Sequence, residues 1–374
     1  MVVPMESHSA WLLPRCCAID ARGLGCVCSG VALRCASSCL VYPSTRLTGR
    51  KQASAHYIRS EHASQLDKKY HSYTIIQSHA HFCAILEMPK SFELQSWTHP
   101  VPVTVADGLP IEVNEEVLLK FTAFDNWLRG LRENLVRQSN SAHTYHADPF
   151  RLQELKVHSV TMFGPKIGFM NIEVMLRKNN KPRELDRVVF LRGGSVAVLM
   201  ILRPKDAWHE RYVIMTEQPR VGACSTMFLE IPAGMLDDSK EVKGKAIQEI
   251  EEETHLKVLK EELIDLTALA LEEADQTEEL QAGIYMSPAN LDEFIPLLLW
   301  EKKLERRQIE ALKGRLTGLR AADEMITIRI VDYKDLWKKG ARDSKTLAAW
   351  ALYEGLTQSG RLKEKLDDIR LGRS

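Results

Sequence analysis

No apolar run in this chain of 374 residues can cross a bilayer: the longest, such as Ser195–Leu202, fall far short of the roughly 20 residues a spanning helix needs. An excess of either charge is lacking too. Lys plus Arg and Asp plus Glu each number 50, so no global field draws nucleic acid, and any anion must be bound locally. Cysteine is scarce where a fold would need stapling. Of eight, Cys16, Cys17, Cys26, Cys28, Cys35 and Cys39 stand in the first forty residues, leaving only Cys83 and Cys224. That distribution argues against a secreted disulfide framework, and Cys26-x-Cys28 lacks the usual zinc-ligand spacing. Acids are almost missing from the first sixty residues, where Glu6 and Asp20 stand among Arg15, Arg22, Arg34, Arg46 and Arg50. Such a composition predicts an organelle transit peptide over 1–60. There is no internal repeat.

What is present reads as an ordinary globular chain, 45% hydrophobic and 27% charged. Residues 61–98 show no clear period and are expected to be a poorly structured linker. Order is expected from His99. Pro100–Val105 alternates as a strand, and Val117, Leu118, Phe121, Phe124, Trp127, Leu128, Leu131 and Leu135 fall at helical spacing over Glu115–Leu135. Strand-like segments follow at Lys156–Met162, Gly168–Leu176, Arg187–Leu191, Ser195–Leu202 and Arg211–Thr216. Gly164-Pro165, Asn179-Asn180 and Gly193-Gly194 separate them. A helix at Glu241–Thr254, strands at Leu263–Ala270, Phe294–Trp300 and Met325–Val331, and helices at Tyr333–Lys338 and Ser344–Gln358 complete an α+β sandwich.

The chemistry concentrates in Leu229–Leu256, LEIPAGMLDDSKEVKGKAIQEIEEETHL. Pro232-Ala233-Gly234 reads as a turn and Asp237-Asp238-Ser239 as helix-capping residues. On the helix that follows, Glu249, Glu252 and Glu253 stand at i, i+3 and i+4 and share one face. Ala246, Ile247, Ile250 and Thr254 form an adjoining face that can pack on a sheet. Three like charges on one face need neutralising, and a hard divalent cation such as Mg²⁺ suits oxygen ligands. A solvated acidic surface is the competing reading of that run.

Gly234 and, fourteen positions on, Gln248–Leu256 resemble the Nudix box, G-x5-E-x7-R-E-U-x-E-E-x-G-U with U aliphatic. Glu249, Ile250, Glu252, Glu253 and Leu256 keep the pattern. Lys240 stands where it has its first Glu, Gln248 where it has Arg, and His255 where it has its second Gly. The segments Met162-Phe163-Gly164, Thr216-Glu217-Gln218-Pro219-Arg220, Leu229–Asp238 and Leu316–Arg320 extend the resemblance over His99–Leu362. They are similar to plant-type Nudix ADP-sugar diphosphatases, relatives of the ADP-ribose pyrophosphatases.

The resemblance implies a Nudix α/β/α sandwich with a mixed sheet over 187–362. Before it come a disordered leader and an N-terminal β-containing segment at 99–186 that serves dimerisation, and a tail follows at 363–374. It implies Mg²⁺, or Mn²⁺, held by Glu249, Glu252, Glu253 and the Ala233 carbonyl, with Glu324 beside Asp323 as general base. It implies a small nucleotide-sugar substrate and a homodimer with Phe121, Phe124 and Trp127 suited to its interface; joined to the transit-like leader it points to a plastid, with mitochondrion and cytosol as the alternatives. Arg220 and Glu217 are the candidate substrate-binding residues, Arg220 serving either an anionic oxygen or a surface or interface salt bridge. Three functional readings stay open: an active diphosphatase for ADP-glucose or ADP-ribose, an active enzyme for another nucleoside diphosphate derivative such as UDP-glucose, and a degenerate fold that binds without hydrolysis.

Overall fold

The computed structural model describes residues 90–179, 185–236, 241–272, 278–318 and 325–371. Lys240, Asp323, Glu324 and the expected leader over 1–60 lie outside them.

The first strand, β1 (Lys90–Leu94), lies inside the segment expected to be unstructured. It pairs antiparallel with β2 (Val101–Val105), and Leu94 and Trp97 are buried, which gives this stretch a core to order against. Two helices follow, α1 (Glu115–Lys120) and α2 (Thr122–Arg137), where the periodicity predicts one. The Asn114 side chain caps α1 by accepting from Val117 N at 3.0 Å. Phe121 then turns extended, with φ −83° and ψ 105°, and breaks the helix so that Leu118 and Phe124 can both be buried fully.

The strands β3 (Arg151–Phe163), β4 (Lys166–Arg177) and β5 (Leu185–Leu191) complete a five-stranded sheet in sequential order. Its β2–β3 pair is parallel and the rest antiparallel. Leu118, Phe124 and Leu128 pack with Val103, Leu155 and Ile172 into one core. Phe121 and Trp127 pack partly buried against the same core, so the aromatic stripe serves the interior of its own chain. The boundary expected at 186/187 falls inside β5.

The second sheet is built round β6 (Ser195–Pro204), which is buried along almost its whole length. Its two sets of alternate residues feed different cores. Ala197, Leu199 and Ile201 face one, and Val196, Val198, Met200 and Leu202 face the other. Antiparallel partners are β7 (Tyr212–Arg220), itself paired with β8 (Ser225–Glu230), and β9 (Ala233–Met235). The helix α3 (Val242–Thr254) covers the second of these faces through Ala246 and Ile250.

Leu263–Ala270, expected as a strand, is instead a two-residue strand β10 (Ile264–Asp265) followed by helix α4 (Leu266–Leu271). The Asp265 carboxylate takes the Ala268 N–H at 2.8 Å and starts the helix. Pro296 divides the next expected strand. On one side β12 (Phe294–Ile295) pairs with β11 (Ile284–Tyr285); on the other β13 (Leu297–Leu304) runs parallel to β6. Then come α5 (Arg306–Leu312), β14 (Leu316–Thr317), β15 (Ile326–Asp332), α6 (Leu336–Lys339), α7 (Ser344–Gln358) and α8 (Arg361–Arg370).

Helix α5 joins α3 on one face of this mixed sheet, and α4 and α7 take the other, a three-layer α/β/α sandwich. The last helix occupies most of the expected tail, where Leu362, Leu366 and Ile369 give it an apolar stripe to bury. Among the described residues no helix is long and apolar enough to cross a membrane.

Candidate active site

The site grows from the end of β8. Glu230 lies opposite Thr216 of β7, and Ile231-Pro232 carries the chain into β9, where Gly234 pairs with Val196. Helix α3 returns across this corner. A Cβ on Gly234 would fall inside the carboxyl group of Glu249, so the glycine is bare because the glutamate lies directly on its backbone. This contact joins the first box residue to the first of the three glutamates.

The three carboxylates are graded in burial. Glu249 and Glu252 are half-buried, and Glu253, on the face that carries Ala246 and Ile250 into the core, is only 3% exposed. Each has a charged or hydrogen-bonding neighbour. Lys245 Nζ lies 3.0 Å from Glu249 Oε1. Gln248 Nε2 donates to Glu252 Oε1 at 2.8 Å. The buried Gln218 of β7 reaches Glu253 Oε1 from below at 3.5 Å. Gln248, uncharged where the family pattern has Arg, still positions a carboxylate through its amide.

The helix ends as the box requires although its glycine is missing. His255 adopts the left-handed conformation, φ +57°, with its N–H on Glu251 O at 3.0 Å. Its ring Nδ1 also lies 3.2 Å from that oxygen. The expected capping residues Asp237, Asp238 and Ser239 lie outside the described residues, and the described helix starts from Glu241 with no side-chain cap.

Among the described residues, Arg220 and Glu217 bond to groups other than the three glutamates. Arg220 Nε donates to Glu230 Oε1 at 2.6 Å, and Arg329 donates to Glu217 Oε1 at 2.6 Å. Arg220 thus makes a salt bridge within its own chain, with its side chain 41% exposed. The buried Glu230 also accepts from Lys345 Nζ of α7 at 2.8 Å, and the same ammonium reaches Asp343 Oδ1 at 2.8 Å. Burial pulls the Lys345 pKa down, but Glu230 and Asp343 outweigh it and hold the group above its ordinary 10.5. Asp343 further anchors Thr346, whose hydroxyl takes the Ile231 N–H at 3.2 Å.

The structure therefore brings Gly234, Gln248, Glu249, Glu252 and Glu253 together and adds Gln218, Glu230, Lys245 and Lys345. Gln218 and Glu230 lie within segments already singled out in the sequence. Nothing in the sequence marks Lys345, which is 115 residues from Glu230. The Ser287–Asn290 turn is closed by its own side chains, Ser287 Oγ donating to Asn290 Oδ1 at 3.2 Å.

The donor chemistry fits a hard divalent cation, with three carboxylates on one helix face beside a bare strand backbone. Among the described residues, however, no three His, Cys, Asp or Glu side chains are drawn round one point. Glu249 is turned to Lys245 and Glu252 to Gln248.

The chain is thus an α/β/α sandwich whose glutamate-bearing helix is seated on a bare strand glycine. The chain is 34% identical over 306 residues to Nudix hydrolase 14, chloroplastic, of Arabidopsis thaliana, an alignment covering 76% of this chain and 91% of that protein. It belongs to the Nudix hydrolase family, whose members generally use divalent metal ions and act on small nucleotide derivatives. No family model matches the chain. A solved structure described as the crystal structure of an ADP compounds hydrolase aligns at 16% identity with a TM-score of 0.34, covering 57% of this chain and 96% of that one.

Proposed function

We propose that the protein hydrolyses the diphosphate bond of ADP-sugars, ADP-glucose or ADP-ribose, to AMP and a sugar phosphate in a Mg²⁺-dependent reaction. The observation that carries this reading is the seating of Glu249 on Gly234, which holds the acidic helix against the β9 backbone. Glu249, Glu252, Glu253 and the Ala233 carbonyl are the residues that would hold the metal. Bound there, magnesium (or manganese) would neutralise the diphosphate and lower the pKa of a water.

The remaining work falls to the chain. The Gln248 amide and the buried Gln218 keep Glu252 and Glu253 oriented. Arg220, held from behind by Glu230, presents its exposed guanidinium edge to a phosphate oxygen. Water attacks one phosphorus, the bridging P–O bond breaks toward the other phosphate, and the water's proton passes to Glu324. We assign the protein to the plastid, the location carried in the name of its Arabidopsis relative, and expect a homodimer.

The full chain, incubated with ADP-glucose or ADP-ribose with and without Mg²⁺, should release AMP only when metal is present. Glu253→Gln should lower the rate by about a hundredfold or more, since it removes a buried carboxylate that would hold the metal. A folded, metal-saturated protein that releases no AMP would sink the reading. Such a result would favour another nucleoside diphosphate derivative or a domain that binds without hydrolysis.

A further inference from the structure

The ion pair between Lys245 and Glu249 is not an ordinary surface pair of a helix. It places Lys on the N-terminal side of Glu at i, i+4, the weaker of the two orientations on a helix. Exposed pairs of this kind contribute a few tenths of a kcal/mol. This pair is not exposed: the side chains of Lys245 and Glu249 are 13% and 16% accessible. Both charges have lost most of their water, so each depends on charged or polar neighbours. Glu249 cannot simply swing away, because its carboxyl group rests on Gly234.

Lys245 also reaches the second glutamate indirectly. Its Nζ lies 3.5 Å from Gln248 Oε1, while Gln248 Nε2 holds Glu252 at 2.8 Å. The other lysine of α3, Lys243, turns to the carbonyl of Leu263 at 2.7 Å and takes no part. A single ammonium is thus joined to one carboxylate directly and to another through an amide, on the face where the acids need a counter-charge.

We propose that Lys245 is a built-in counter-ion of the acidic helix that a divalent cation must displace from Glu249, so that this lysine sets how tightly the site takes metal. The inference rests on the metal reading given above. In the metal-free protein Lys245 offsets repulsion among the three carboxylates and keeps the helix folded. On metal binding its ammonium swings outward on its flexible stem, leaving Glu249 oxygens to the cation. The same lysine therefore stabilises the empty site and weakens the metal.

The test is Mn²⁺ binding to the full chain, by electron paramagnetic resonance and calorimetry, in wild type, Lys245→Met, Lys245→Arg and Glu253→Gln. Met keeps the apolar stem and removes the charge. Lys245→Met should bind Mn²⁺ about tenfold more tightly, a change of about 1.4 kcal/mol in binding. It should melt lower than wild type without metal and gain more in Tm when metal is added. Lys245→Arg, which keeps the charge, should stay within about threefold of wild type in Kd.

Wild-type binding that Lys245→Met leaves unchanged or weakens overturns the counter-ion role. A purely structural lysine would lower Tm equally with and without metal and leave the Kd alone. If neither wild type nor Lys245→Met binds Mn²⁺, the metal reading itself falls, and this inference with it. Binding that survives in Glu253→Gln places the metal elsewhere and overturns both. Should Lys245→Met fold poorly, Lys245→Met/Glu249→Gln removes both charges, and its recovered Tm would show the unpaired carboxylate to be the cause.

Discussion

Gly234 is bare because the carboxyl group of Glu249 occupies the space a side chain would take. Gly234→Ala must push Glu249 off the β9 backbone or move the strand. It should destabilise the protein by about 1–3 kcal/mol, the usual range for forcing a methyl into filled space. Metal-dependent hydrolysis should fall with it, so urea unfolding and AMP release form a paired readout. Unchanged values in both would mean that Glu249 does not rest on this glycine.

His255 gives the opposite expectation. Its backbone holds a φ of +57°, strained for a side-chain-bearing residue and easy for glycine. His255→Gly should raise stability by about 0.5–1 kcal/mol, seen as a higher Tm, although the ring's contact with Glu251 O is lost. A fall in Tm would show that the imidazole contributes more than the strain removes.

Between elements, the charge group round Lys345 clamps α7 to the β8–β9 turn. Its ammonium, 12% accessible, bridges Glu230 and Asp343, and Thr346 continues the link to Ile231. Lys345→Met leaves two buried carboxylates short of a cation and should lower stability by about 3–5 kcal/mol. The pH dependence follows from the raised pKa. The folded protein holds this proton more tightly than the unfolded chain, whose lysine titrates near 10.5. The stabilisation is therefore complete below that pH and is lost as pH climbs through the higher folded value. Lys345→Met lacks this titration, so its stability, measured by urea unfolding, should vary less with pH above 10.5 than that of wild type.

Element types were legible where a pattern had room to repeat. The strand at β6 and the helix at α3 follow directly from apolar runs and periodicity. The failures came at short, buried segments. Leu263–Ala270 is apolar enough for either state, and the local cap at Asp265 tipped it to helix after two strand residues. Helical spacing over Glu115–Leu135 could not reveal the extended Phe121, because both halves keep their apolar stripe across the break.

At the scale of the molecule, the described cores draw on residues from Leu94 onward. A chain begun at Phe82 contains all of them and should fold cooperatively, with a single transition in urea by both fluorescence and circular dichroism. Loss of that transition would mean that the preceding residues are needed for folding.

The sequence by itself determined the family, the acidic helix and the glycine that receives it, because fixed spacing on a helix dictates which side chains share a face. It could not assign Arg220, whose partner Glu230 lies across a hairpin, nor find Lys345, brought in by a distant helix. It also left Lys245 as one lysine among many. Only the tertiary structure decided these, because pairing strengths depend on burial, and burial is a property of packed surfaces rather than of order along the chain.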